Sequence, residues 1–85
     1  MKFDVLDVGC GETPKGDVNV DIYPIKCPGN NFLIAMADYL PFKDKSFNTV
    51  RSSYVIEHCT NTERFLKEHV RVSKDKVIII TDNNE

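Results

Sequence analysis

Long apolar runs and clusters of basic residues are both missing from this sequence. Spanning a bilayer takes about 20 consecutive apolar residues, and no segment approaches that length. The 11 lysines and arginines are balanced by 13 aspartates and glutamates and form no basic stripe. We therefore expect neither a membrane-spanning segment nor a nucleic-acid interface. Because Asp4 and Asp7 interrupt the first apolar run, we expect no signal peptide, and the expected location is the cytoplasm.

Cysteine is scarce as well, with only Cys10, Cys27 and Cys59 in the chain. An odd number of cysteines without metal-ligand spacing argues against a disulfide framework and against a metal site. Free thiols in a reducing compartment are the expected state. The 85 residues predict a single domain, residues 1–85. A chain of this size buries only roughly 60–65% of its unfolded surface, so we expect marginal stability.

A glycine-rich turn at the end of the first apolar segment is the most informative feature that is present. Leu6, Asp7 and Val8 lead directly into Gly9, Cys10 and Gly11. Glycine has no Cβ and permits a positive φ, so a small molecule can approach the main chain at such a turn. Open α/β sheets bind ligands at the carboxyl ends of their strands. The turn therefore predicts a ligand site, although a lone G-x-G pattern is weak evidence.

The apolar pattern predicts an α/β fold with five strands, at residues 3–8, 18–22, 32–36, 47–52 and 77–81. One amphipathic helix is predicted over residues 61–72, started by a capping box of Thr60 and Glu63. Its apolar stripe is expected to consist of Phe65, Leu66, His69 and Val70. The β-branched last strand is expected to be buried on both faces. The order strand, helix, strand at the end predicts a right-handed crossover and a parallel pair.

The two early connections are short and contain helix breakers, including Pro14, Gly16 and Pro24. Parallel neighbours are usually joined by a dozen or more residues that form a helix. Nine extended residues nevertheless reach roughly 30 Å, whereas a five-residue strand is about 17 Å long. A plain loop can therefore return the chain to the start of the sheet. A parallel arrangement is predicted, with an antiparallel meander as the alternative.

Six segments in order carry a resemblance to a known family: residues 6–11, 18–22, 37–42, 46–50, 54–58 and 63–72. Together they resemble class I S-adenosylmethionine-dependent methyltransferases, particularly the small-molecule, methyltransferase type 11-like group. The resemblance runs from Asp4 to about Asp82 and implies a Rossmann-like, mostly parallel sheet of order 3-2-1-4-5 with few helices. It ends before the two further strands and the helix with which this class usually continues, which implies truncation after strand five.

The resemblance implies that S-adenosylmethionine is the cofactor and that the first two strand ends contribute to its site. Asp7 would contact the aminoacyl part directly or through water, and a loop-capping role is the alternative. Gly9, Cys10 and Gly11 form the turn beside the cofactor, with no nucleophilic role for Cys10. Asp21 would accept hydrogen bonds from both ribose hydroxyls, its carboxylate being without a partner until the cofactor binds. Ile22 would flank the adenine or belong to the core.

The second half of the chain would complete this site. Asp38 and Tyr39 would hold the adenine edge, although Asp38 could instead cap a short turn. Ser53 and Tyr54 would lie beside the methyl donor. His58, in a Glu57-His58 pair, is the candidate base for deprotonating an acceptor, with a structural role as the alternative. No metal ligand is predicted.

The implied function is methyl transfer to a small molecule or a protein side chain. A non-catalytic cofactor-binding or regulatory module derived from the same fold is the alternative. A nicotinamide-binding domain is disfavoured because the G-x-G-x-x-G pattern is absent. Since only one helix is available to cover the sheet, we expect a homodimer or a partner subunit over the face that carries strands one to three.

Overall fold

Five parallel strands form the single sheet of this protein, whose computed structural model describes residues 4–11, 13–24 and 31–81. The strands are β1 (Val5–Val8), β2 (Val18–Asp21), β3 (Phe32–Ile34), β4 (Phe47–Ser53) and β5 (Ser73–Ile80). Their order is β3-β2-β1-β4-β5, and every neighbouring pair is parallel. The predicted topology is therefore confirmed, and the antiparallel meander is wrong.

Side-chain hydrogen bonds take the place of a helix in the connection between β1 and β2. Asn19 is fully buried, accepts from the Gly16 amide and donates to the Gly16 carbonyl. At the amino edge, Asp17 accepts from the amides of Asp4 and Val5. Gly16 is so close to the sheet that a Cβ there would lie 2.7 Å from the Asp7 amide nitrogen. The loop therefore packs directly against one face of the sheet.

The core lies on the opposite face of the sheet, which the helix covers. Sheet register places Leu6, Val8, Val20 and Val50 on this face, and all four are essentially inaccessible to solvent. Val72 from the helix, Leu40 from the loop before β4 and Phe47 from the start of β4 complete the cluster. Phe42 meets Phe47 edge to face, with ring centroids 5.1 Å apart.

The helix α1 (Thr62–Val72) begins one residue later than predicted, and its cap is Asn61. The Asn61 side chain accepts from the Arg64 amide at 3.0 Å, so the predicted cap at Thr60 is wrong. The buried stripe consists of Phe65, His69 and Val72, spaced four and three residues apart. Leu66 and Val70 are exposed, which contradicts the predicted stripe. Only one narrow stripe of the helix packs against β4 and β5, so the apolar residues that flank this stripe face solvent.

Strand β5 begins directly after the helix and is longer than predicted. Its first residues include Lys74, Asp75 and Lys76, all exposed. Charged residues are tolerated there because β5 is an edge strand, and they discourage pairing with another chain. Ile78 and Ile80 are about two-fifths exposed, so the expected burial on both faces is wrong. One face of this strand has no covering layer among the described residues.

The face opposite the core is therefore covered only in part. Register places Phe32, Asn19, Asp7, Arg51 and Ile78 in one row across this face, and Ile34 lies on the same face two residues after Phe32. The loop that contains Gly16 covers Asp7, which is 4% exposed, whereas Ile34 is 58% exposed. The open apolar positions thus lie at β3, which belongs to the region predicted to be open, and at β5, which does not, whereas β1 and β2 are covered.

No helix within the described residues is long and apolar enough to cross a membrane. The same residues contain no group of acidic, histidine and cysteine side chains that could hold a metal ion. Cys27 lies outside the described residues.

Candidate functional site

A cavity of about 620 Å³ opens at the carboxyl edge of the sheet. Ligand pockets in proteins commonly have volumes of about 300–1,000 Å³. Its walls come from the ends of β1, β2 and β4, from the turn after β3 and from a short 3-10 helix, Ile56–His58. Seven of the predicted or family-implied site residues line it, and these are Gly9, Asp21, Ile22, Asp38, Ser53, Tyr54 and His58.

The glycine turn needs its glycines for two different reasons. Gly9 has φ +70°, and a Cβ there would collide with the Val55 side chain. Gly11 has φ +61°, and a Cβ there would meet no atom within 4 Å. Both Gly9 and Cys10 donate their amides to the Val20 carbonyl, which fixes the turn against β2. Gly9 is thus required by packing, and Gly11 leaves open space beside its backbone.

Asp21 connects this turn to the end of β2. Its Oδ2 accepts from the Gly11 amide at 2.8 Å, and its Oδ1 accepts from the Tyr23 amide at 3.1 Å. The expectation that this carboxylate is without a partner before a ligand binds is therefore wrong. The carboxylate still lines the cavity, and each oxygen retains further acceptor capacity. Asp21 can hold the turn and accept from a ligand hydroxyl at the same time.

Asp7, Cys10 and Gly11 are not among the residues that line the cavity. The Asp7 carboxylate accepts from the Lys15 amide at 2.9 Å and so caps the loop, the alternative left open from the sequence. Burial raises the pKa of Asp7, opposed by the Lys15 hydrogen bond and the charge of Arg51. Among the described residues, its direct role is to hold the loop between β1 and β2.

Asp38 presents a buried carboxylate to the cavity from the turn after β3. It is 8% exposed, and it makes no hydrogen bond or ion pair with any described residue. A carboxylate on a cavity wall without a protein donor is available to accept from a ligand or water. Tyr39 lies next to it but outside the cavity wall, with the Arg64 guanidinium 4.4 Å from its ring centroid. The structure thus brings Asp38 into the cavity and leaves Tyr39 at its rim.

The end of β4 supplies the opposite wall. Tyr54 has φ +59°, which is unusual for a residue with a side chain, and its amide donates to the Ile80 carbonyl. Such strain tends to persist where function maintains it. The exposed His58 lines the cavity, but its neighbour Glu57 accepts from the Thr81 hydroxyl at 2.8 Å. In this arrangement Glu57 is engaged with the end of β5.

Several wall residues have no signal in the sequence that marks them as site residues. Apart from Val8 at the end of β1 they come from turns and loops, and most are small or apolar: Val8, Tyr23, Ala35, Met36, Ala37, Val55, Cys59 and Thr60. The motif positions identify the polar groups of the site, whereas these residues give the cavity its shape. Only their proximity to the glycine turn and to the end of β4 could have suggested them.

The parallel sheet, its strand order and a cavity at its carboxyl edge define a Rossmann-like domain of the type that binds nucleotide-containing cofactors. A sequence model of the methyltransferase domain family matches residues 17–81. The chain therefore belongs to the methyltransferase domain family.

Two curated relatives match most of this chain. An uncharacterized protein of Methanocaldococcus jannaschii is 35% identical over 88 residues, which cover 89% of this chain and 35% of the relative. The mitochondrial 2-methoxy-6-polyprenyl-1,4-benzoquinol methylase of Dictyostelium discoideum is 32% identical over 72 residues, covering 85% of this chain and 23% of the enzyme. The chain thus spans about a third or less of the length of these relatives.

Solved structures share the fold. A SAM-dependent methyltransferase of Thermotoga maritima, described as a possible histamine N-methyltransferase, has a TM-score of 0.76 at 24% identity. The match covers 93% of this chain and 44% of that protein. A Haloferax volcanii protein solved in complex with the Trm112 methyltransferase activator has a TM-score of 0.69 at 23% identity, over 85% of this chain and 40% of that one. Family membership implies S-adenosylmethionine as the cofactor.

The cavity fits such a cofactor in its donor and acceptor chemistry. An adenosine offers a ribose diol and an exocyclic amine, both of which donate hydrogen bonds. Asp21 and Asp38 are carboxylate acceptors on the cavity wall, and Asp38 has no donor among the described residues. Ile22, Ala35 and Met36 provide apolar surface between them.

Proposed function

We propose that this chain binds S-adenosylmethionine in the cavity at the carboxyl edge and takes part in methyl transfer to a small molecule or a protein side chain. The observation that carries the proposal is Asp38, a buried carboxylate on the cavity wall without a hydrogen-bond donor among the described residues. A carboxylate so placed calls for a ligand donor, and an adenine amine is such a group.

Each wall residue then has a defined part in binding. Asp21 accepts from the ribose hydroxyls, and its hydrogen bonds from the Gly11 and Tyr23 amides keep the glycine turn in place. Asp38 accepts from the adenine amine, and Ile22 flanks the ring. Gly9 lets the main chain lie close to the ligand, whereas Gly11 acts through its bond to Asp21, and Asp7 acts by capping the loop at Lys15.

The bound cofactor supplies an electrophilic methyl group on a sulfonium sulfur. Transfer of this methyl needs mainly alignment with the acceptor nucleophile. Ser53 and Tyr54 lie on the wall opposite Asp38's turn and would orient the reacting groups. His58, exposed at the same wall, would take the acceptor proton where one is released.

Titration calorimetry with S-adenosylmethionine, S-adenosylhomocysteine and NAD tests the binding step. We expect saturable binding of the first two and none of NAD. Asp38→Asn is the matched variant, because it keeps the shape of the side chain and removes its charge. We expect it to weaken S-adenosylhomocysteine binding by roughly tenfold or more, equivalent to the loss of a charge-assisted hydrogen bond. NAD binding, or no binding at all, would contradict the proposal.

Transfer is tested separately with radiolabelled methyl donor and pooled acceptors of the small-molecule and peptide classes. A labelled product that forms only when an acceptor is present supports an enzyme. Loss of this product in His58→Ala supports His58 as the base. Binding without transfer would favour the alternative of a non-catalytic cofactor-binding module.

A second copy of the chain is the proposed cover for the open part of the sheet, and the proposed location is the cytoplasm. Ile34, Ile78 and Ile80 lie on one face and are 38–58% exposed. Burying such side chains contributes about 1.5–3 kcal/mol each, and two-fold dimers are the commonest way to bury a patch of this kind. Sedimentation equilibrium at micromolar concentration should show a dimer that Ile78→Lys dissociates; a monomeric wild type would contradict this part.

A further inference from the structure

Helix α1 holds the turn that carries Asp38 through a network of charged groups on the opposite side of that turn from the cavity. We propose that Glu68 and Arg71 are positioning residues that fix Asp38 and thereby set the preference of the cavity for a 6-aminopurine. The inference rests on the proposed function, since it concerns the same site.

The network begins with Glu68, four residues before the end of the helix. Its Oε1 accepts from the Leu40 amide at 2.8 Å, which lies two residues after Asp38. Leu40 itself is 4% exposed and belongs to the core. The Glu68 carboxylate therefore fixes the backbone at Leu40, where the turn that carries Asp38 joins the core.

Arg71 holds the same segment from its other end. One guanidinium nitrogen donates to the Leu40 carbonyl at 2.9 Å, and the other donates to the Phe42 carbonyl at 2.7 Å and to Asp44 at 2.9 Å. Its Nε donates to Glu68 at 2.7 Å, closing the network. The Arg71 side chain lowers the pKa of Glu68 and so keeps that acceptor ionised. The planar guanidinium of Arg71 thus binds two carbonyls and two carboxylates at once, and a lysine side chain cannot reproduce this geometry.

The turn has few hydrogen bonds of its own, although Arg64 contacts the Tyr39 ring and Ala37 packs against the core. Within it, the Tyr39 amide donates to the Met36 carbonyl at 3.1 Å, and Met36 and Tyr39 are both exposed. Asp38, between them, has no hydrogen bond to any described residue. Its placement on the cavity wall therefore depends on the backbone bonds that Glu68 and Arg71 make immediately downstream.

The test uses the amino preference, defined as the Kd of S-inosylhomocysteine divided by the Kd of S-adenosylhomocysteine. The two ligands differ only in the group at position 6 of the purine, so a general loss of structure weakens both and leaves the ratio unchanged. A site built to accept from an amine should reject the oxo compound by roughly tenfold or more. We expect this preference in the wild type and its loss in Asp38→Asn.

Arg71→Ala, Arg71→Lys and Glu68→Ala should each reduce the amino preference by several-fold, with Arg71→Lys giving no rescue. Adding Arg71→Ala to Asp38→Asn should change the ratio no further, because both act through the same carboxylate. Glu63→Gln is the matched control, since Glu63 forms an exposed ion pair with Lys67 at 3.7 Å on the same helix and does not contact the turn. This control should keep the wild-type ratio.

The outcomes separate the two proposals. A wild type that binds neither ligand contradicts the proposed function. A wild type that shows the preference, with Arg71 and Glu68 variants that keep it, overturns the positioning role and leaves the function intact. If the Arg71 variants fail to fold, Glu68→Ala decides, because it removes the acceptor of the Leu40 amide and leaves the Arg71 bonds to the Leu40 and Phe42 carbonyls in place.

Discussion

Two aspartates at opposite ends of β2 allow cofactor binding to be separated from stability. Asp21 at the carboxyl end accepts from two backbone amides, those of Gly11 and Tyr23. Asp17, just before the strand, also accepts from two backbone amides, those of Asp4 and Val5. The two carboxylates do the same local work, but only Asp21 lines the cavity.

Asp21→Ala should therefore weaken S-adenosylhomocysteine binding far more than Asp17→Ala. Losing a hydrogen bond to a charged group costs about 1.5–3 kcal/mol, which is roughly tenfold to a hundredfold in affinity. Both variants also lose bonds to backbone amides, so each should lower the free energy of unfolding by about 1–2 kcal/mol. Urea unfolding gives the stability, and titration calorimetry gives the affinity. Equal effects of the two substitutions on affinity would refute the assignment of Asp21 to the site.

Two further predictions concern stability. Gly11→Ala should lower the free energy of unfolding by about 1–2 kcal/mol, because the residue has a positive φ. Gly9→Ala should lower it by about 2–5 kcal/mol, because its Cβ also collides with Val55. Equal urea midpoints for the two variants would contradict this packing. Burial lowers the pKa of His69 below its usual value of 6.5, so the unfolded chain binds the proton more readily and the free energy of unfolding should fall as the pH drops below about 6.5. His69→Phe should remove this dependence from urea midpoints measured between pH 5 and pH 8; a wild-type midpoint that does not change with pH would count against it.

The sheet could be predicted from the sequence because its signals are local. Gly9 and Gly11 mark the end of β1, and the β-branched runs mark the strands on either side. The short loops excluded most helices, and the chain length between strands was sufficient for parallel connections. All of these depend on residues close together in sequence, and the strand order followed from the family resemblance.

Features that depend on the three-dimensional surroundings could not be predicted in the same way. Leu66 and Val70 fit an apolar stripe, but only the narrow edge of α1 with Phe65, His69 and Val72 meets the sheet. The strand character of Lys74 to Lys76 depends on the edge position of β5. Amphipathic periodicity does not tell how much of a helix face its neighbour covers.

The candidate site shows the same division. The polar motif residues Asp21 and Asp38 were identified as single positions, and the sheet brings both to one cavity. The hydrogen bonds of Asp21 to the Gly11 amide and of Asp7 to the Lys15 amide were not predicted, because they depend on how the loop between β1 and β2 folds back. The role of Arg71 was missed for a related reason: its partners lie 27 to 31 residues away.

The most direct test of the central claim is a map of amide chemical-shift changes as S-adenosylhomocysteine is added to the isotopically labelled protein. The account predicts saturable shifts concentrated at Gly9, Gly11, Asp38 and Tyr54, on the carboxyl edge of the sheet. The amide of Asp17, at the amino edge, should stay unchanged. Shifts centred at the amino edge, or the absence of any saturable shift, would contradict the assignment of this cavity as the cofactor site.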